Sequence, residues 1–127
     1  MKDETRRDRA SPALRVRTHD FAVRIVRLYA ALPKSFEAQT IGKQAFRSGT
    51  SVGAQYREAC RAKSDADFVS KIEGALQELD ETAYWLELLV SCGVVKHARL
   101  QPLLEETGEL TAIFVTMSRK VKSKTRK

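Results

Sequence analysis

Cysteine, histidine, proline and glycine are all scarce in this chain of 127 residues, which has two cysteines, two histidines, three prolines and six glycines. So few cysteines exclude a disulfide-stapled scaffold. Aromatic residues make up only 7% of the sequence, and together with the few prolines and glycines this favours long helices over a β-sandwich. No apolar run approaches membrane-spanning length, so we expect no membrane partner.

Sequence patterns that would mark an enzyme or a metal protein are also missing. There is no CxxC, no HExxH and no glycine-rich phosphate loop. His19 and His97 lack the Glu-x-x-His spacing of bundle metal sites, and we expect both on the surface at helix ends, with no metal or cofactor bound. An enzyme using Glu58, Glu78 and Glu81 as acid–base groups is a weak alternative, and our expectation is a protein that is not an enzyme.

The two cysteines and the first residues together indicate the cellular compartment. Cys60 and Cys92 should lie near opposite ends of one long helix, about 40 Å apart, which is too far for a disulfide bond. The segment Met1–Arg6 has no apolar core and does not resemble a signal peptide. We therefore expect reduced thiols and a cytoplasmic protein.

Apolar residues recur at helical spacing in four segments. We predict helices over about 19–32, 36–62 and 65–92, and a fourth that begins near Lys96 or Ala98. Thr18, Ser35 and Ser64 are the expected N-caps, and Pro102 is expected near the start of the fourth helix, where proline is tolerated. Short links between them predict an all-α protein, an antiparallel up-down-up-down four-helix bundle.

The predicted domain organisation has three parts: an N-terminal arm, a bundle and a C-terminal tail. Residues 1–17 form a polar arm, which is either loose or a partial extension of the first helix. Residues 18–117 form the bundle, and residues 118–127 form a basic tail that frays from the last helix.

Charge is distributed unevenly along the chain. The net charge of +7 comes from the two ends, because residues 118–127 hold six basic residues and no acid, whereas residues 18–117 have eleven basic and thirteen acidic residues. Within the body, residues 18–63 are basic and residues 64–117 are acidic. Either the two halves pack on each other, or the basic half presents a face to a polyanion.

Basic residues supply the candidate nucleic-acid contacts. The tail contributes Arg119, Lys120, Lys122, Lys124, Arg126 and Lys127, and the bundle face contributes Arg24, Arg27, Lys43 and Arg57. Binding to RNA or DNA through the tail should be non-specific and salt-dependent, because the tail has no aromatic residue for base stacking. A protein-binding scaffold with no nucleic-acid role is the alternative.

Three sets of residues predict how the second and third helices pack. With the turn centred between Lys63 and Ser64, paired residues have numbers that sum to about 127, which predicts a polar seam of Arg47, Glu58, Lys71, Glu78 and Glu81. Gly49 and Gly53 are predicted at a close helix–helix contact. Tyr84 and Trp85 are adjacent, so one should pack inward while the other is left for a groove or a second subunit.

Two long motifs resemble a known protein family. Residues 47–59, RSGTSVGAQYREA, are similar to its signature RSGTSIGANxxEA. A second signature, S..DF..K...A..E..ET.YWL, is matched by Ser64, Asp67-Phe68, Lys71, Ala75, Glu78, Glu81-Thr82 and Tyr84-Trp85-Leu86. The family is that of the four helix bundle proteins, also called the 23S rRNA intervening-sequence proteins, and the resemblance covers about residues 18–117. The chain departs from it at Gln55-Tyr56, where many relatives have Asn followed by Ile or Val, which leaves the packing near the hairpin open.

The resemblance implies a four-helix bundle that assembles as a homo-oligomeric ring, with a pentamer favoured. A related protein, the accessory protein of diversity-generating retroelements, resembles a basic pentamer that binds a reverse transcriptase and nucleic acid. The family carries no assigned enzymatic activity. A partner protein, RNA or DNA are therefore the partners that the resemblance suggests.

Overall fold

The computed structural model of the protein describes residues 11–125, which form four α-helices joined by short links. Helix α1 is Pro12–Ala31, α2 is Phe36–Cys60, α3 is Asp65–Ser91 and α4 is His97–Thr125. The described residues contain no strand. The prediction of an all-α four-helix protein is therefore confirmed.

Helix α1 begins earlier than the sequence analysis predicted. Ser11 is its N-cap, and the Ser11 hydroxyl accepts a hydrogen bond from the Leu14 N–H at 3.2 Å. Pro12 follows at the first helical position, where its missing N–H costs nothing. Ser11-Pro12 is thus a helix start, and Thr18 is a buried residue inside α1 rather than a cap. Residues 12–17 are an extension of the first helix, while residues 1–10 of the predicted arm lie outside the described residues.

The other helix ends follow local capping chemistry. The Ser35 hydroxyl accepts from the Ala38 N–H, and the Ser64 hydroxyl accepts from the Asp67 N–H. Such caps satisfy backbone donors that the first turn leaves without partners. Gly93 ends α3 in the left-handed region, at φ 74°, which favours glycine over any residue with a Cβ.

Helix α4 differs from the prediction at both ends. Pro102 is the sixth residue of α4, beyond the first turn, so the Ala98 carbonyl loses its helical donor. Ala98 is exposed, which leaves that carbonyl open to water. At the other end the helix continues to Thr125 instead of fraying, because the apolar stripe continues through the buried residues Phe114 and Val121.

The helices are antiparallel to their neighbours in sequence. Contacts between α1 and α2 join Gly49 to Ile25 and Gly53 to Thr18, so residue numbers rise on one helix as they fall on the other. Each of α1–α2, α2–α3 and α3–α4 is an extensive interface, whereas α1 and α4 touch at few positions. The core is one cluster of buried residues from all four helices, and the side between α1 and α4 is the least closely packed.

Glycines allow α1 and α2 to approach closely. A Cβ placed on Gly49 would lie 2.7 Å from Cγ1 and 2.9 Å from Cδ1 of the buried Ile25. A Cβ on Gly53 would lie 3.4 Å from Oγ1 of Thr18, an ordinary van der Waals distance. Both glycines are at the α1–α2 contact, and the approach is tight only at Gly49.

Tyr56 joins the start of α1 to the middle of the bundle. Its ring is fully buried and stacks on Phe114, with ring centroids 5.7 Å apart. Its hydroxyl accepts from the Ser11 N–H at 2.8 Å and lies 3.3 Å from the Ser11 carbonyl. Burial raises the pKa of Tyr56 above its ordinary value of 10.0, and a hydrogen bond with the Cys60 thiol adds to the shift. The residue at which the chain departs from the family signature is thus a core residue that fixes the α1 cap.

Candidate nucleic-acid interface

The predicted tail is the C-terminal end of α4. Arg119 and Lys120 are exposed there, between the buried Ser118 and Val121. The Lys122 ammonium lies 2.6 Å from a Glu73 carboxylate oxygen, with 45% and 52% of the two side chains exposed. An ion pair so exposed is worth at most about 1 kcal/mol, so phosphate can compete with Glu73 for Lys122. The last two tail candidates, Arg126 and Lys127, lie outside the described residues.

Tail side chains are arranged by the periodicity of the helix. Ser118 and Val121 face the core, and this orientation turns Arg119 and Lys120 toward solvent. Lys124 is also exposed, one turn beyond Lys120. Because each residue advances the helix by about 1.5 Å, Arg119 to Lys124 spans about 8 Å along the axis. The described tail candidates are therefore carried by a helix, with Arg119, Lys120 and Lys124 exposed along it.

The four candidates on the bundle face do not form one site. Arg24, Arg27, Lys43 and Arg57 are all exposed. Arg24 and Arg27 line a cleft between α1 and α4, while Lys43 on α2 lies beside the rings of Tyr29 from α1 and Phe46 from α2. Arg57 is fourteen residues further along α2, about 21 Å from Lys43 along the axis.

Sequence reasoning missed two cations that belong with Arg24 and Arg27. Lys96 and Arg99 line the same cleft from the start of α4. They lie in the acidic half of the chain, so a count of charge along the sequence gives them no weight. The predicted antiparallel order of the helices could have identified them, because it places the start of α4 beside the end of α1.

The predicted polar seam residues form two ion-paired groups along α2 and α3. The Arg47 guanidinium lies 2.8 Å from Glu81 and 3.6 Å from Glu78. The Lys71 ammonium lies 3.2 Å from Glu58. The sums of the paired numbers are 128, 125 and 129, close to the predicted 127.

Next to the Arg47 group, α2 and α3 also meet through buried hydroxyls. The Ser48 and Thr82 side-chain oxygens are 2.8 Å apart in the buried interface, one residue further along each helix than Arg47 and Glu81. The polar contacts therefore extend from the surface into the α2–α3 interface.

Glu78 is the least solvated acid of the seam. Only 15% of its side chain is exposed, and its Oε1 atom is buried without a hydrogen-bond partner among residues 11–125. Arg47 is the cation that neutralises it. Glu58 pairs with Lys71, seven residues and about 10 Å along α3 from Glu78. Of the three carboxylates considered for acid–base catalysis, Glu78 and Glu81 therefore share Arg47, while Glu58 is paired with Lys71 further along the hairpin.

The remaining sequence candidates occupy structural positions. His97 is the first residue of α4, whereas His19 is an exposed residue inside α1 and not at its start. In residues 11–125, no three His, Cys, Asp or Glu side chains are grouped so that they could hold a metal ion. Neither Cys60 nor Cys92 is in a disulfide bond. None of the helices in that range is long and apolar enough to span a membrane.

Tyr84 and Trp85 differ in exposure, as the sequence indicated. Tyr84 is 57% exposed, while Trp85 is half-buried and packs against the core. The two rings meet edge to face with centroids 5.0 Å apart. The Trp85 indole N–H is buried without a hydrogen-bond partner in the described residues.

Comparison with known proteins gives a family match and solved structures of similar fold. The family model for the 23S rRNA-intervening sequence protein matches residues 14–116. A crystal structure at 1.70 Å of a protein of unknown function from the S23 ribosomal protein family of Bacteroides thetaiotaomicron superposes with a TM-score of 0.79. That protein is 36% identical, and the alignment covers 84% of this chain and 96% of the other. A search of curated proteins finds no match.

The structural relative has no assigned function, and no enzymatic family is indicated. The family match begins at Leu14 and ends at Thr116, so it spans all four helices and stops before the basic end of α4. Together with the resemblance of residues 47–59 to the family signature, these findings show that the chain belongs to the 23S rRNA-intervening sequence protein family.

Proposed function

We propose that the protein is a non-enzymatic binding module that contacts RNA or DNA non-specifically through the basic end of α4. The observation that carries this proposal is the charge of residues 118–127, which hold six basic residues and no acid. Four of the six lie on the described part of α4. Cys60 and Cys92 form no disulfide, which is in keeping with action in the reducing cytoplasm.

The physical basis of the interaction is counterion release. Each phosphate that a lysine or arginine neutralises on duplex DNA lowers the slope of log K against log salt by about 0.9. Six contacts from one chain would give a slope of about −5. Aromatic residues are absent from residues 118–127, so base stacking, the usual source of affinity for unpaired bases, is not available there.

Assembly into a homo-oligomer would strengthen this binding. Val16, Phe36 and Tyr84 are 61%, 84% and 57% exposed, and large apolar side chains on a surface are frequent at interfaces between subunits. A pentamer, which the family resemblance favours, would bring about 30 tail charges together and raise their effective concentration at a polyanion. Light scattering on the purified chain measures the number of subunits directly.

The test of nucleic-acid binding is a salt titration with RNA and duplex DNA. Truncation at Met117 would also remove the buried residue Val121, so a charge-neutral variant is cleaner. Arg119, Lys120 and Lys124 are replaced by Gln, which keeps the helix and the Lys122–Glu73 pair. The matched control removes the same charge elsewhere, by Gln at the exposed residues Lys34, Arg61 and Lys63.

The tail variant should bind more weakly than the natural chain, with a salt slope that is smaller by about 3, while the control changes little. Equal losses in both variants would show that only overall charge matters. Binding that survives in the tail variant would place the site on the bundle face, either at Arg24 and Arg27 or at the separate positions Lys43 and Arg57. No binding at low salt by any version would favour the alternative function, a protein-binding scaffold.

A further inference from the structure

A cleft separates the C-terminal half of α1 from the N-terminal half of α4. At the other end of α1, the Arg17 guanidinium holds the two helices together through Glu106 at 2.7 Å and Glu109 at 2.6 Å. Beyond this clamp the helices part, and a cavity of about 640 Å³ opens between them. This volume is in the range of pockets that bind ligands or side chains of a partner.

The floor of the cleft is aliphatic. It is lined by Leu28, Leu32, Val94, Val95, Leu100 and Leu103. Leu32, Leu100 and Leu103 are at most 5% exposed, so they belong to the core and form a firm base. Leu28, Val94 and Val95 are half-buried and are the apolar surface that an occupant would cover.

The rim of the cleft is cationic on both sides. Arg24 and Arg27 line it from α1, and Lys96 and Arg99 line it from the start of α4. No aspartate or glutamate is among the lining residues. Within residues 11–125 none of these four cations makes an ion pair, although the chain pairs Arg17, Arg47, Lys71 and Lys122 with acids elsewhere. Four cations gathered without counter-charge repel one another, so an anionic occupant would be favoured.

We infer that this cleft binds an acidic amphipathic helix of a partner protein. Leucine-like residues at i, i+3, i+4 and i+7 of such a helix would cover the aliphatic floor, and its glutamates and aspartates would face the four cations. Helices dock in this way in hydrophobic grooves formed by other helices. The lined part of α1, from Arg24 to Ala31, is about 11 Å long and accommodates about two turns of a partner helix.

The lining of the cleft distinguishes this partner from a nucleic acid. Unpaired bases are held by stacking on aromatic rings, and the lining contains none. A sugar–phosphate backbone would meet the four cations but would leave the aliphatic floor uncovered. An extended peptide would need a free sheet edge, and the described residues contain no strand. This site is separate from the basic end of α4, so its test and that of the proposed function fail independently.

The probe is a fluorescein-labelled 18-residue peptide with leucines on one helical face and glutamates beside them. Fluorescence anisotropy measures its binding to the full chain. Two matched peptides serve as controls: one has the same composition in scrambled order, and one has lysine in place of each glutamate. The amphipathic acidic peptide should bind, and both controls should bind at least tenfold more weakly.

The site is located with charge-reversal variants. Arg24→Glu combined with Arg27→Glu should weaken binding of the acidic peptide by about tenfold or more, because like charges then face each other across the cleft. Arg61→Glu combined with Lys63→Glu makes the same change in net charge in the α2–α3 link, and should leave the affinity within about twofold. Val95→Asp, which places a charge on the floor from a loop position, should also weaken binding.

Several results would overturn the inference. They are no binding of the acidic peptide, equal binding of the scrambled peptide, or full binding by the Arg24/Arg27 variant with its fold intact by circular dichroism. Displacement of the peptide by an oligouridine RNA that itself loses affinity in the Arg24/Arg27 variant would also do so, because the cleft would then be a phosphate-binding surface.

Discussion

Alanine at Gly49 and alanine at Gly53 should have opposite effects on stability. Each substitution improves helix propensity by about 1 kcal/mol. At Gly53 the added Cβ lies at ordinary contact distance from Thr18, so Gly53→Ala should stabilise the protein by up to about 1 kcal/mol. At Gly49 it meets Ile25 at 2.7–3.0 Å, and overpacking of a rigid core typically costs about 1–3 kcal/mol. Gly49→Ala should therefore be net destabilising, by about 1 kcal/mol.

Urea denaturation followed by circular dichroism measures both free energies of unfolding. Ile25→Val removes Cδ1, one of the three Ile25 atoms that a Cβ at Gly49 would meet. It costs about 0.5–1.5 kcal/mol alone, but it should cost less in the Gly49→Ala background, which a double-mutant cycle detects. Refutation would come from a Gly49→Ala protein more stable than the natural chain, or from strictly additive effects with Ile25→Val.

Three other substitutions test the polar contacts. Arg47→Ala should lower the free energy of unfolding by about 1–3 kcal/mol, because it leaves the poorly solvated Glu78 without its cation. Glu58→Ala breaks a half-exposed ion pair and should cost less than about 1 kcal/mol. Chemical denaturation measures both values, and equal losses would contradict this difference. Tyr56→Phe should cost about 1 kcal/mol at neutral pH through the lost hydrogen bonds to Ser11. Folding raises the pKa of Tyr56, so as the pH rises the unfolded chain loses the phenol proton before the folded chain does. The contribution of Tyr56 to the free energy of unfolding is therefore fully present below its ordinary pKa of 10.0. It falls as the pH rises above that value. The stability gap between the two proteins should shrink above about pH 10, and a gap independent of pH would exclude this role.

The sequence predicts much of the fold because its helical signals are local. Ser35 and Ser64 cap α2 and α3 where the pattern indicates, and the predicted ends of these helices are within two residues of those in the structure. The pairing of Arg47 with Glu81 follows from one assumption, an antiparallel hairpin with a short turn. Because the links between helices are short, the chain has few other ways to bury the apolar faces of its helices.

The errors come from contacts between residues far apart in sequence. Taken by themselves, residues 12–17 are too polar to predict a helix start. The start is set by Tyr56, which is 45 residues from Ser11 in sequence and accepts a hydrogen bond from the N–H of this N-cap residue. The end of α4 reads as a solvated tail because its lysines dominate the composition, although Val121 is buried against the bundle. Likewise, nothing local connects Arg24 with Arg99, and only the packing of α1 and α4 puts them in one cleft.

The side between α1 and α4 is the least closely packed side of the bundle. Helices α2 and α3 each have two extensive interfaces, whereas α1 and α4 each have one, to which the Arg17 ion pairs and the stacking of Tyr56 in α2 on Phe114 in α4 are added. Detaching α1 would break one extensive interface and the Arg17 clamp, while leaving the α2–α3 hairpin whole. The free energy of local opening should therefore rise from the outer helices to the hairpin, and a partner that bridges α1 and α4 would add its binding energy to the least protected part of the fold.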